Sequence, residues 1–127
     1  MAAPVEVVSS DVIARRIQEI GERISEDFSE GELVLVGILK GATVFLADLL
    51  RAISRPVRME FVHVARQAAP RGEVIELAYA TQVHLEGTRA LILKDICHSG
   101  VTENYLLTHL AQQRPASLEV AALVNRP

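Results

Sequence analysis

Two short turns hold the residues with the clearest chemical use. Leu39-Lys40-Gly41 follows the apolar run Leu33 to Ile38, and Cys97-His98-Ser99-Gly100 follows the apolar run Ala90 to Ile96. In each, a buried strand gives way through small residues to a segment with helical spacing. Such a turn offers unpaired backbone N–H groups and the positive end of a helix dipole to an anion. Lys40 adds a cation, and Ser99 and Thr102 add hydroxyl donors. The chemistry this suits is the holding of phosphate groups. Neither turn has the pattern G-x-x-x-x-G-K-[ST], so a Walker loop is excluded. Serine before a helix also serves as a plain cap, and an isolated lysine as a surface charge.

Other reactive side chains are scattered. His98 can accept a proton near neutral pH. Cys97 reads as a small packing residue, because no His–Asp arrangement accompanies it. His63, His84 and His109 lack the spacing of a zinc site. Glu73 and Glu76 read as solvent-facing charges.

These turns need elements to position them. Ser10 to Phe28 reads as an amphipathic helix, capped by Ser10 or Asp11, with Val12, Ile13, Ile17, Ile20 and Ile24 on its apolar side. Leu33 to Ile38 reads as a strand covered on both faces. Ala42 to Ile53 reads as a second helix, apolar at Val44, Phe45, Leu49 and Ile53, and Ser54-Arg55-Pro56 ends it. Val57 to Val64 is expected to be a strand with Met59, Phe61 and His63 on differing faces. Ala65 to Gly72 is expected to be a loop, since it holds Pro70 and Gly72. Glu73 to Ala80 reads as an exposed strand and Leu85-Glu86-Gly87 as a turn. Ala90 to Ile96 is a buried strand, Val101 to Gln113 a third helix with Leu106, Leu107 and Leu110 inward, and Leu118 to Val124 a last strand. This alternation implies an α/β fold, a mostly parallel sheet of about five strands flanked by helices. Both turns then fall at the carboxyl edge of the sheet, where such folds bind ligands.

Composition sets the outer limits. The 127 residues suit a single domain, residues 1–127, with 50% hydrophobic and 23% charged residues. The formal net charge of -3 gives no general attraction to nucleic acid or an anionic membrane. Cys97 is the one cysteine, so no internal disulfide forms, as expected in a reducing compartment. The first residues lack the pattern of a signal peptide, and no apolar stretch approaches the ~20 residues of a membrane span. A cytoplasmic protein is expected.

The residues also carry a family resemblance. Leu35-Val36-Gly37-Ile38-Leu39-Lys40-Gly41-Ala42, followed by Val44-Phe45-Leu46-Ala47-Asp48-Leu49, resembles the pyrophosphate-loop region of the hypoxanthine-guanine group of type I phosphoribosyltransferases. Leu91-Ile92-Leu93-Lys94-Asp95-Ile96-Cys97-His98-Ser99-Gly100-Val101-Thr102 falls where that family has its phosphoribosyl-pyrophosphate signature. Tyr105-Leu106-Leu107, Pro115 to Leu118 and Ala122 to Pro127 continue the likeness, which is weakest between Arg66 and Leu85.

The resemblance implies a phosphoribosyltransferase-type core that transfers ribosyl phosphate from phosphoribosyl pyrophosphate to a purine, with Mg2+ if active. It implies that Leu39, Lys40 and Gly41 meet the pyrophosphate. It implies that the N–H groups of His98, Ser99, Gly100, Val101 and Thr102 hold the 5′-phosphate, helped by the Ser99 and Thr102 hydroxyls. Asp95 stands where the family binds the ribose hydroxyls and helps organise the metal, and Arg126 stands for a lysine that contacts the base.

The chain departs from the family at four places. The family's signature opens with two adjacent acids, but here Lys94 replaces the first and leaves Asp95. His98 stands in place of the aspartate that acts as general base. The Ser-Tyr pair of the family's mobile loop is absent at Ala65-Arg66-Gln67. The given sequence stops at Pro127, before the family's purine-stacking aromatic and its further metal-binding aspartate.

Two readings follow. One is a binding protein for phosphoribosyl pyrophosphate or a nucleotide, with catalysis lost or impaired. The other is an active purine phosphoribosyltransferase of purine salvage, possibly completed by a partner chain, with His98 as its substitute base. On either reading, a homodimer or larger oligomer, or pairing with a paralogue, is expected.

Overall fold

In the computed structural model, the described residues are 8–28, 30–39, 41–79, 83–97 and 101–125, and the described side chains are those outside 65–69, 73–79, 95–97, 101–103 and 124–125. The elements alternate along the chain: α1 (Ser10–Asp27), β1 (Leu33–Leu39), α2 (Thr43–Ala52), β2 (Arg58–Ala69), β3 (Gly72–Tyr79), β4 (Arg89–Cys97), α3 (Val101–Leu110), a 3-10 turn (Ala111–Gln113) and β5 (Ser117–Asn125). The five strands form one sheet in the order β3-β2-β1-β4-β5. β2, β1, β4 and β5 run parallel, and β3 is antiparallel at one edge. The expected mostly parallel sheet is what the chain forms.

Burial on both faces explains the continuous apolar runs. On β1, Leu33 and Leu35 pack under α1 and α2, while Val34, Val36 and Ile38 pack toward α3. β4 divides in the same way, Leu91 and Leu93 on the first side, Ala90 and Ile92 on the second. Leu35, Leu93 and Ile92 are fully enclosed, and each such side chain contributes roughly 1.5–3 kcal/mol. Leu106 and Leu110 of α3, with Val83 and Leu85, close the second face. The third expected helix is therefore α3 plus the 3-10 turn, which ends at Arg114 in the left-handed region.

Four local expectations are corrected. The cap of α1 is Ser9, whose Oγ accepts from the Val12 N–H at 3.2 Å, and Ser10 is already helical. Val12 and Val44 are exposed, at 52% and 72%. Each sits one residue off the buried stripe of its helix, a rotation of about 100°. The segment from Ala65 is strand, not loop: Ala65 pairs with Glu76 and Ala69 with Gly72. Pro70 and Gly72 mark only the reversal between β2 and β3, where Gly72 takes φ +116. Finally, Met59, Phe61 and His63 share one face of β2, since residues two apart must, and Glu60 and Val62 are buried on the other.

A buried charge ties down the amino edge of the sheet. Glu60 is 7% exposed, and Arg58 Nη1 reaches its carboxylate at 3.2 Å. The Arg58 Nε lies 2.9 Å from Glu32, and its Nη2 donates to the His84 carbonyl. One guanidinium thus links the approach to β1, the start of β2 and the segment leading to β4.

The α1–α2 contact depends on a missing side chain. A Cβ built at Gly21 would lie 2.5 Å from the Ala52 Cβ and 2.6 Å from the Ala52 carbonyl oxygen. Only glycine lets the helices approach this closely, despite its cost to helix formation of about 1 kcal/mol. Gly21→Val is expected to destabilise the fold by about 1–3 kcal/mol, measured by urea unfolding, because the helices must separate over a packed core. An unchanged midpoint would show that this contact is not needed.

Candidate functional site

Two neighbouring parallel strands send their helices opposite ways. β1 leads through α2 to β2 on one side, and β4 leads through α3 to β5 on the other. Right-handed crossovers in opposite directions must cover opposite faces of the sheet. α2 accordingly packs with α1 on one face and α3 on the other. Among the described residues no connection crosses the gap above the carboxyl ends of β1 and β4, and that is where open α/β sheets bind ligands.

The strand pairing shows the gap opening. The last β1–β4 pair is Gly37 with Leu93. Beyond it β1 stays with β2, as far as Leu39 beside His63, and β4 stays with β5, as far as Cys97 beside Asn125. The sheet splits at this edge. Lys94 is the first β4 residue past the split, half-buried on the same side as Ala90 and Ile92.

The start of α2 forms one wall. The Ala42 N–H donates to the Ile38 carbonyl at 3.2 Å, which folds the turn tightly, and Gly41 is exposed in it. Ala42 is the cap residue and offers no side-chain acceptor, and the first turn of α2 has no acid. α1 differs on both counts, with Ser9 as a capping acceptor and Asp11 in its first turn. A helix start with no acid and no capping side chain is one where the helix dipole favours a negative charge.

The structure brings several sequence-chosen residues to this edge. Leu39 is half-buried at the end of β1 and Gly41 begins the turn beyond it. Asp95 lies on β4, and Val101 and Thr102 open α3, as backbone positions. Lys40, His98, Ser99, Gly100 and Arg126 lie outside the described residues. Two features were missed from sequence. One is the cap-less start of α2, signalled by alanine where a capping residue is usual. The other is His63, exposed and carried to the carboxyl edge by its register with Leu39.

A cleft of about 630 Å3 lies at the opposite, amino edge, between Glu32, Arg58, His84, Gln113 and Arg114. It borders strand starts rather than helix starts, and Arg58 there is already engaged by two carboxylates. The carboxyl edge is therefore the better candidate.

The resemblance implies a metal, and the sequence departs from the acidic pair that would hold it. Lys94 stands beside Asp95 where a divalent cation needs a cluster of oxygens. Among the described residues, no three His, Cys, Asp or Glu side chains gather where they could hold a metal ion.

Comparison with known proteins agrees with this geometry. The hypoxanthine-guanine phosphoribosyltransferase of Dictyostelium discoideum is 37% identical over 120 residues, covering 90% of this chain and 67% of that protein. The Mycobacterium tuberculosis protein of the same name is 32% identical over 129 residues, covering 95% of this chain and 64% of the relative. The chain thus spans about two thirds of the length of these curated relatives. A crystal structure of a hypoxanthine-guanine phosphoribosyltransferase from Bacillus anthracis superposes with a TM-score of 0.88 at 26% identity, over 100% of this chain and 74% of the other. The hypoxanthine phosphoribosyltransferase of Trypanosoma cruzi in complex with the product IMP gives 0.82 at 30% identity, over 97% and 74%. Residues 6–127 match the family described as the phosphoribosyl transferase domain, and the chain belongs to that family.

Proposed function

We propose that this chain, as a single domain, binds a phosphorylated ribose compound, phosphoribosyl pyrophosphate or a nucleotide, in the split between β1 and β4, with impaired catalysis. The observation that carries this is the uncapped, acid-free start of α2 beside a sheet edge that opens between two helices. The turn Leu39 to Gly41 holds the pyrophosphate end, and Lys40 brings a charge to it. The turn from His98 to Thr102 holds the 5′-phosphate, through its N–H groups and the hydroxyls of Ser99 and Thr102. Asp95 meets the ribose hydroxyls and Arg126 the base. The IMP bound to the Trypanosoma cruzi relative supports a nucleotide as one occupant.

Catalysis is impaired on this reading because of charge. An oxocarbenium-like transition state develops positive charge at the ribose, and carboxylates beside it favour that charge. Lys94 opposes it and leaves Asp95 to act alone. These effects compound, since catalysis here is positioning and electrostatics.

A second reading, an active purine phosphoribosyltransferase using Mg2+ with Asp95 and with His98 as base, is favoured by the 37% identity to a protein of that name. Self-association belongs to both readings, as a homodimer or with a paralogue. It is supported by half-buried Ala121, Ala122 and Leu123 on β5, the outer strand of the described sheet. A cytoplasmic place belongs to them too. No described helix is long and apolar enough to cross a membrane.

Two outcomes test the proposal. Gly41 is exposed at the start of the turn into α2. Gly41→Asp, its folding checked by a melting curve, is expected to weaken pyrophosphate binding at least about tenfold in calorimetry, about 1.4 kcal/mol, because a carboxylate then occupies the anion's place. Gly100→Val is expected to weaken nucleotide binding for a different reason, the loss of close backbone approach. Unchanged affinity in both variants would place the anion site elsewhere.

The activity test uses hypoxanthine, guanine, xanthine and adenine with phosphoribosyl pyrophosphate and magnesium. Turnover by the purified chain is expected to stay near background. Robust turnover that disappears in His98→Ala would establish the second reading instead.

A further inference from the structure

We infer that Gly37 is a positioning residue: by having no side chain it lets Leu46 seat on the strand, and this contact sets the start of α2 for a pyrophosphate group in advance. The inference rests on the proposed ligand-binding reading and adds how that end of the site is held in shape. Gly37 is buried, and it is the last β1 residue paired with β4, so it lies at the root of the split. A Cβ built there would stand 3.3 Å from the Leu46 Cδ2 and 3.4 Å from the Phe61 Cδ1. Both distances are shorter than the about 3.5–4.0 Å at which carbons rest against each other. The space over Gly37 is thus already taken, by Leu46 of α2 and by Phe61, its register partner on β2.

Leu46 is tied to the turn by its own backbone. Its N–H donates to the Ala42 carbonyl at 2.8 Å, and the Ala42 N–H donates to the Ile38 carbonyl at 3.2 Å. Ile38 follows Gly37 directly. These contacts close a ring, from Gly37 through Leu46, Ala42 and Ile38 back to Gly37, that spans the chain between Ile38 and Ala42. Leu46 is 2% exposed and belongs to the cluster of Leu35, Phe45 and Leu49, so a shift of its side chain is passed to neighbours already in contact. A methyl group at position 37 therefore pushes the first turn of α2 away from β1. Hydrogen bonds weaken steeply when their donors are misdirected, and a preset turn spares the ligand the cost of ordering it. Gly37 acts on the ligand only through α2.

Calorimetric titration of inorganic pyrophosphate into the full chain tests this, with a melting curve run on each variant. Gly37→Ala is expected to bind at least about tenfold more weakly than wild type. Gly37→Ala combined with Leu46→Val, which has no δ carbon, is expected to return to within about threefold of wild type. That recovery separates positioning from stability, since trimming a buried leucine removes packing and does not restore it. A smaller loss from Gly37→Ala would overturn the inference and leave the ligand-binding reading standing, as would a loss that the second substitution leaves in place. No pyrophosphate binding by the wild-type chain would overturn that reading, and the inference with it. Amide exchange of the wild-type chain decides if Gly37→Ala does not fold. The Ala42 and Leu46 N–H groups are expected to exchange slowly without pyrophosphate, and to slow by less than about tenfold when it is added. Fast exchange at both, slowed only by pyrophosphate, would show a turn shaped by the ligand and not by Gly37.

Discussion

The handedness of two crossovers is the constraint on which the rest depends. β1 and β4 are neighbours, and the chain leaves them in opposite directions, so α2 and α3 must take opposite faces of the sheet. With no connection above them among the described residues, the two strands part after Gly37 and Leu93. The same parting brings the first turns of two helices to one edge. On the proposed reading, the phosphate site is a consequence of this topology, and side chains tune it.

The core pays for this opening at a distance. Strands β1 and β4 are clamped by apolar residues on both faces up to the point of separation, from Leu33 to Val36 and from Ala90 to Leu93. Gly21 allows α1 to lie directly on α2 at Ala52, which holds the last turn of α2 in place. At the far edge, Arg58 binds Glu32, the buried Glu60 and the His84 carbonyl, so the strand starts are fixed where the strand ends are not. Rigid amino edge and open carboxyl edge are two sides of one arrangement.

Much of this was legible in the residues, for identifiable reasons. Continuous apolar runs mark strands buried on both faces, and β1 and β4 are the central strands that need such burial. The two small-residue turns lie at their ends, so the candidate edge could be placed before any coordinates. Legibility failed where a local signal had a wider reach in sequence than in space. Pro70 and Gly72 suggested a long loop, but they serve only the reversal of a hairpin whose strands pair from Val62 to Ala69. Val12 and Val44 suggested burial by type, though neither lies on the stripe that the neighbouring helix covers. The cap-less start of α2 was present in sequence as Ala42, but alanine is uninformative until the helix start is known. The register that brings His63 beside Leu39 is a tertiary fact with no local signature.

The central claim is that the ligand sits in the split between β1 and β4. A crystal structure of the chain grown with phosphoribosyl pyrophosphate tests it most directly. The account expects the phosphate groups beside the turns that follow Leu39 and Cys97, at the carboxyl edge of the sheet. Ligand found instead in the amino-edge cleft, between Arg58, His84 and Arg114, would contradict it.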